Sequence, residues 1–192
     1  KKIIKGNELS KKTIGIIGFG NVSRRLIKLL SGFGVNILIF SNSLSSRKDN
    51  SLDDLKKLNN QTTINISSFN EIIEKSDIIT LHSNAGQNNQ PLFGINQFKK
   101  MKKNSFIINT ARGNLINEND LNTALNEDLI SGAAIDVFSL EPAKTNILFN
   151  NKKIILTPHI AASTHESQII VAEMISKQIC DFLINNKSVN TV

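Results

Sequence analysis

The sequence predicts a doubly wound, Rossmann-like parallel α/β sheet. Short Ile-rich runs alternate six or seven times with amphipathic stretches along the 192 residues. Several runs are continuously apolar, as strands covered on both faces must be. The first of them leads straight into a glycine turn that opens a helix.

Thr13 to Ile17 (TIGII) is the first buried strand, followed by Gly18-Phe19-Gly20. Asn21 to Phe33 is a helix, with apolar residues at Val22, Leu26, Leu29, Leu30 and Phe33 and Gly34 suited to its C-cap. Val35 to Phe40 is the second strand, residues 41–51 a polar loop, Leu52 to Leu58 a short helix and Thr63 to Ile66 a weak strand. Ser68 caps a helix over Phe69 to Lys75, and Asp77 to Leu81 returns to the sheet. A long polar loop, residues 82–94, leads to a helix over Ile95 to Met101 and a strand over Ser105 to Asn109. Asn117 opens a helix to Asp128, Gly132 to Val137 is a strand, and Ile154 to Leu156 is the last one. Ser163 and Glu166 match a capping box that starts a long helix with Ile169, Ala172, Ile175, Ile179 and Phe182 among its apolar residues.

Composition narrows the function. No apolar run reaches the roughly 18–20 residues of a bilayer span, and Lys1-Lys2-Ile3-Ile4-Lys5 shows no secretory apolar stretch. The single Cys180 excludes an intrachain disulfide and a cysteine-cluster metal site, and fits a cytoplasmic protein. Net charge is +7, but residues 1–60 hold 12 Lys/Arg against 4 Asp/Glu while residues 61–192 hold 11 against 12. With only four Arg among 23 basic residues and no Trp or Tyr, the chain is poor in the base-reading and stacking groups a nucleic-acid binder favours. The basic first third suits a local anionic ligand instead.

Gly18-Phe19-Gly20-Asn21-Val22-Ser23 reads G-x-G-x-x-S. Gly18 allows the tight turn and Gly20 lets backbone approach a diphosphate resting on the helix N-terminus. Ser23 is small enough to keep helix near strand. The alternative is a turn whose glycines serve packing alone. Sites for NAD place an acid about 20 residues on, whereas Ser41-Asn42-Ser43 stand here and no carboxylate appears before Asp49. NAD and NADP both stay open, with Arg47 or Lys48 placed to reach a 2′-phosphate.

Three polar residues stand at or just past strand ends: Arg112, Glu141 and His159. In an open parallel sheet such ends border the ligand crevice. Arginine holds a carboxylate bidentately, histidine moves a proton near neutral pH, and a glutamate orients an imidazole. Taken singly, each also reads as a turn ion pair, a surface loop residue and a structural turn histidine.

The segments Gly6 to Gly20, Ile108-Asn109-Thr110-Ala111-Arg112-Gly113, Gly132 to Phe138 through Glu141-Pro142, and Thr157 to Thr164 together resemble the D-isomer-specific 2-hydroxyacid dehydrogenases. The ending, from Ala162-Ser163-Thr164 to Val192, most resembles that family's phosphoglycerate branch. The resemblance implies a hydride-transferring oxidoreductase for a 2-hydroxy acid, with 3-phosphoglycerate one candidate, using NAD or NADP. It makes Arg112, Glu141 and His159 catalytic. It adds cofactor contacts at Asn21 and Val22, Ser41, Thr110 and Ala111, Asp136, Ala161 and Ala162, with Gly18, Gly20, Arg112 and His159 beside them. Asp136 alternatively reads as a buried hydrogen-bond acceptor. His82 begins the loop where the family often has His-x-Pro, here His82-Ser83-Asn84, and is read as a loop residue near the cofactor. His165 is read as exposed. Residues 1–12 would end an interdomain connection, 13–162 form the dinucleotide domain, and 163–192 return toward a substrate domain mostly absent from this sequence. A homodimer is implied, with no metal. A non-catalytic dinucleotide sensor on the same fold is the alternative; it would need no proton-transfer histidine.

Overall fold

The computed structural model describes residues 6–42, 44, 54–55, 62–84 and 90–188. The chain forms two compact units, Lys1–Pro158 and His159–Val192. In the first, the strands are β1 (Thr13–Ile17), β2 (Asn36–Phe40), β3 (Thr63–Ile66), β4 (Ile78–Leu81), β5 (Phe106–Asn109), β6 (Gly132–Ile135) and β7 (Ile154–Leu156). They form one seven-stranded sheet in the order β3-β2-β1-β4-β5-β6-β7. Every neighbouring pair is parallel. The order reverses between β1 and β4, so the crevice outside their carboxyl ends is the switch point where such sheets take ligands.

The helices are α1 (Asn21–Leu30), α2 (Phe69–Lys75), α3 (Ile95–Phe98) and α4 (Glu118–Asn126). Side chains alternate across each strand, and two buried clusters result. One joins Ile14, Ile16, Ile37 and Ile39 to Phe19, Ile27, Leu44 and Leu55. The other joins Ile79, Leu81, Ile107 and Ile135 to Ile72, Phe93, Phe98 and Leu125. Ser68 caps α2 by accepting from the Glu71 N–H, and Asn117 caps α4 by accepting from Asn119 and Asp120.

Local departures from the sequence reading have physical causes. The first helix tightens into a 3-10 turn over Ser31–Phe33 before Gly34 closes it at φ +63°. The expected loop after β2 begins helically: Asn42 and Leu44 have helical backbone, and Leu44 is buried. The expected Leu52–Leu58 helix falls mostly outside the described residues; Asp54 and Leu55 are helical. α3 ends at Phe98 rather than Met101, continuing as a turn. The second unit holds α5 (His165–Asn185), and its cap is Thr164, which accepts from the Ser167 N–H. Ser163 is therefore not the capping residue; its N–H is tied back to Ile160 in the preceding turn. That places Glu166 in the first turn, where a carboxylate complements the helix dipole.

Candidate functional site

The two glycines of the first turn are glycine for different reasons. Gly18 has φ +102°, and a Cβ there would lie 2.6 Å from the His82 carbonyl carbon and oxygen. Its N–H donates to the Phe40 carbonyl at 2.8 Å, while the His82 N–H donates to Ile17 at 2.7 Å. The turn is thus pinned between the ends of β2 and β4. Gly20 is extended (φ −104°, ψ −165°), and a Cβ on it would meet nothing within 4 Å. Among the described residues nothing demands a glycine at position 20; a ligand pressed against its backbone would.

The helix behind it fits an anion. First-turn N–H groups have no acceptor within a helix. Gly20 brings no capping side chain, and the first turn of α1 contains no acid. Asn21 and Val22 are exposed at this end, whereas Ser23 is fully buried and its hydroxyl donates to the Gly20 carbonyl at 2.9 Å. Ser23 thereby does the close-packing work of a third glycine. The Arg24 guanidinium lies 4.7 Å above the Phe19 ring. Ser41 is half-buried one residue past β2, and its carbonyl accepts from the Leu44 N–H at 3.1 Å. Arg47 and Lys48 lie outside the described residues.

At the end of β4, Thr80 is buried and its hydroxyl is 3.0 Å from the His82 Nε2. Burial holds the His82 imidazole below its ordinary pKa, favouring the neutral ring.

Across the switch point the loops are wired by side chains. Asn109, the last residue of β5, is 1% exposed. Its amide donates to the Arg112 carbonyl at 2.9 Å and its Oδ1 accepts from the Ala111 N–H at 3.0 Å. The loop Thr110-Ala111-Arg112 is therefore folded over one buried amide. Thr110 and Arg112 are exposed, and the Arg112 Nη1 donates to the Ala111 carbonyl at 2.6 Å. Asp136 is 3% exposed, just past β6; its N–H donates to Asn109 and its carboxylate accepts from the Thr157 hydroxyl.

Glu141 is exposed and precedes a cis Pro142. Its Oε1 accepts from the Phe138 N–H at 2.9 Å. Glu118 anchors the same loop, accepting from the Ser139 N–H and the Asn146 amide, each at 2.7 Å. Gly113 touches Phe138 so closely that a Cβ would overlap its carbonyl. The structure thus brings the Arg112 and Glu141 loops together. His159, Ala161 and Ala162 open the second unit; they are exposed, and His159 has φ +56°. In the chain, His159 follows β7 by three residues. His165 is exposed, as read. Asn109, Thr157 and Glu118 were not singled out in the sequence; a polar residue ending the apolar run SFIIN was the signal for the first.

Among the described residues no group of three or more His, Cys, Asp or Glu could hold a metal ion, and no helix is long and apolar enough to cross a membrane. The parallel sheet, the open Gly20 turn and the acid-free start of α1 define a dinucleotide-binding domain. The family model of the D-isomer specific 2-hydroxyacid dehydrogenase NAD binding domain matches residues 1–161, and the chain belongs to that family. It is 34% identical over 177 residues to a glyoxylate reductase of Thermococcus litoralis, covering 92% of this chain and 50% of that protein. It is 37% identical over 191 residues to a D-3-phosphoglycerate dehydrogenase of Methanocaldococcus jannaschii, covering 97% and 34%. Among solved structures, an acyclic imino acid reductase in complex with NADPH and D-Arg superposes with a TM-score of 0.82 at 26% identity, covering 97% of this chain and 55% of that one. The chain spans half or less of the length of these two curated relatives.

Proposed function

We propose that this chain is the cofactor half of an oxidoreductase acting between D-2-hydroxy acids and 2-oxo acids. The observation that carries the reading is the division of labour at the sheet's carboxyl edge. One side of the switch point offers bare backbone at Gly20; the other offers the joined loops of Arg112 and Glu141. Gly18, Gly20, Asn21 and Val22 would hold the diphosphate, and Ser41 would face the adenosine ribose. Thr110, Ala111, Asp136, Ala161 and Ala162 would line the nicotinamide end. When bound, the nicotinamide supplies or accepts the hydride exchanged with C2 of the acid.

The protein's own part is positioning and proton transfer. Arg112 holds the substrate carboxylate. His159 takes the hydroxyl proton in oxidation and returns it in reduction, and Glu141 keeps the imidazole oriented. Residues 13–162 act as the dinucleotide domain in this reading, and 163–192 lead toward the substrate domain. Resemblance supports a phosphoglycerate-type substrate and a homodimer; the single Cys180 supports a cytoplasmic setting.

This chain by itself would bind dinucleotide yet turn over poorly, so the test follows nicotinamide absorbance with a panel of 2-oxo acids in the full-length protein that also carries the substrate domain. Turnover is expected. His159→Ala is expected to lower kcat by about 10²–10⁴-fold while NADH affinity persists. Unchanged turnover would remove His159 from the chemistry. Dinucleotide binding without turnover on any acid would instead assign a sensor.

A further inference from the structure

We infer that Glu118 is a positioning residue for the proton transfer, its carboxylate clamping the loop that presents Glu141. The inference rests on the dehydrogenase reading above and adds a residue outside the Arg112, Glu141 and His159 set. Glu141 lies in an exposed segment. Phe138 and Leu148 are buried at its two ends, but from Ser139 to Thr145 every residue is exposed except the half-buried Ala143. Few buried apolar contacts leave such a stretch mobile unless polar bonds hold it.

Glu118 supplies those bonds from the first turn of α4. One oxygen accepts from the Ser139 N–H and the other from the Asn146 side-chain amide, each at 2.7 Å. One carboxylate thus grips both ends of the loop, and bonds to an ionised acceptor are roughly twice as strong as neutral ones. Asn146 passes the hold on, because its Oδ1 accepts from the N–H of the fully buried Leu148. At the other end the Phe138–Ser139 peptide is fixed on two sides, its N–H by Glu118 and its carbonyl against Gly113, the residue after Arg112. The N–H of the same Phe138 donates to the Glu141 Oε1 at 2.9 Å. The direction of the Glu141 carboxylate is therefore set against backbone that Glu118 holds in place. A first-turn acid also complements the helix dipole, and Asp120 does so in the same turn. Asp120 grips a different segment, accepting from the Ile95 N–H at 2.9 Å. The two acids share the dipole role and differ in what they hold, which makes Asp120 the control.

The test measures kcat against pH in the full-length enzyme, with the NADH Kd and urea midpoints alongside. In Glu118→Gln the side-chain N–H group must face either the Ser139 N–H or the Asn146 amide, so one bond is lost. Its kcat is expected to fall about tenfold to a hundredfold, as for a misplaced group, while the NADH Kd holds. The limb of the profile set by the imidazole is expected to move to lower pH, because a carboxylate beside an imidazole raises its pKa and a displaced one raises it less. Glu118→Gln/Asn146→Asp returns an acceptor opposite the new amide and is expected to recover both kcat and the limb. Asp120→Asn is expected to move neither. Unchanged kcat and limb in Glu118→Gln, an equal effect of Asp120→Asn, or no recovery in the double variant overturns the inference and leaves the dehydrogenase reading standing. Asn146→Ala cuts one bond and leaves Glu118 charged; it is expected to act in the same direction more weakly. No shift there overturns the inference even where Glu118→Gln fails to fold. No turnover by the parent on any 2-oxo acid overturns the inference together with the reading beneath it.

Discussion

The two sides of the switch point build their ligand-facing edge in opposite ways. On the β1–β2 side the edge is made of things left out: no side chain at Gly20, no capping group on α1, no acid in its first turn. On the β5–β6 side it is made of side chains turned back into the protein, where Asn109, Glu118 and Glu141 tie loop backbone and Asp136 accepts from the Thr157 hydroxyl. The first arrangement leaves room and positive potential, which suits a large anion held by amides. The second fixes loop positions, which suits a few groups that must meet a small substrate with little freedom. The lesson is that a mutation on one side separates binding from folding, and on the other it does not.

The sharpest way to break that contrast is a pair of identical changes. Gly113→Ala places a methyl on the Phe138 carbonyl, so the Arg112 and Glu141 loops must part. A loss of about 3 kcal/mol, the upper range for overpacking, is expected from urea denaturation. Gly20→Ala has open space and a compatible backbone. Its stability is expected to stay level or rise by up to about 1 kcal/mol, while dinucleotide binding falls at least tenfold by calorimetry. Equal destabilisation by the two changes would end the comparison.

Next in size is Asn109→Ala. The buried amide satisfies the Ala111 N–H and the Arg112 carbonyl at once. Its removal leaves loop groups unmatched, at about 1–3 kcal/mol, and frees the segment that carries Arg112. Stability and kcat are expected to drop together. A drop in stability alone would show that Arg112 does not depend on this amide.

A smaller, pH-dependent effect is expected at His82. Burial lowers its pKa in the folded state. The unfolded chain therefore binds a proton at a higher pH than the native one does, and stability falls as pH drops below the ordinary histidine value of about 6.5. Urea midpoints of the parent protein and His82→Gln, compared at pH 7.5 and 5.5, are expected to show a smaller loss for the variant. An equal loss would place the pH dependence elsewhere.

The sequence revealed most of what depends on neighbours along the chain. Alternating Ile runs gave the strands, and Gly18 and Gly20 before a helical pattern gave the turn. Ser68 and Asn117 proved to be caps. What escaped depends on distance. Glu118 meets Ser139 and Thr157 meets Asp136, each across 21 residues, and no local pattern marks either pair. The helical start after β2 was hidden because Leu44 is a lone apolar residue in a polar stretch, and only the core around Phe19 explains its burial. The cap of α5 was misplaced by one residue because Ser163 and Thr164 are both good caps, and the turn at Ile160 decides between them.

The smallest effect belongs to the far, amino-terminal edge of the sheet, which serves as the control for both sides. There Asp77 accepts from the Thr13 N–H at 2.8 Å and from the Lys102 ammonium at 2.9 Å. Burial pushes the Asp77 carboxyl up, but the Thr13 hydrogen bond and the charges of Lys102 and Lys12 outweigh it, and the net shift is downward. A carboxylate with a depressed native pKa stabilises the fold above the usual aspartate range and loses that contribution as pH falls through and below about 4. The ion pair is partly exposed, so solvent screening holds its worth to about 1 kcal/mol or less. Lys102→Met is therefore expected to lower stability slightly at pH 7, to cost progressively less as pH falls below about 4, and to leave the NADH Kd unchanged. A change in dinucleotide affinity would show that the two edges of the sheet are coupled, and the separation of binding from folding at Gly20 would then need a different cause.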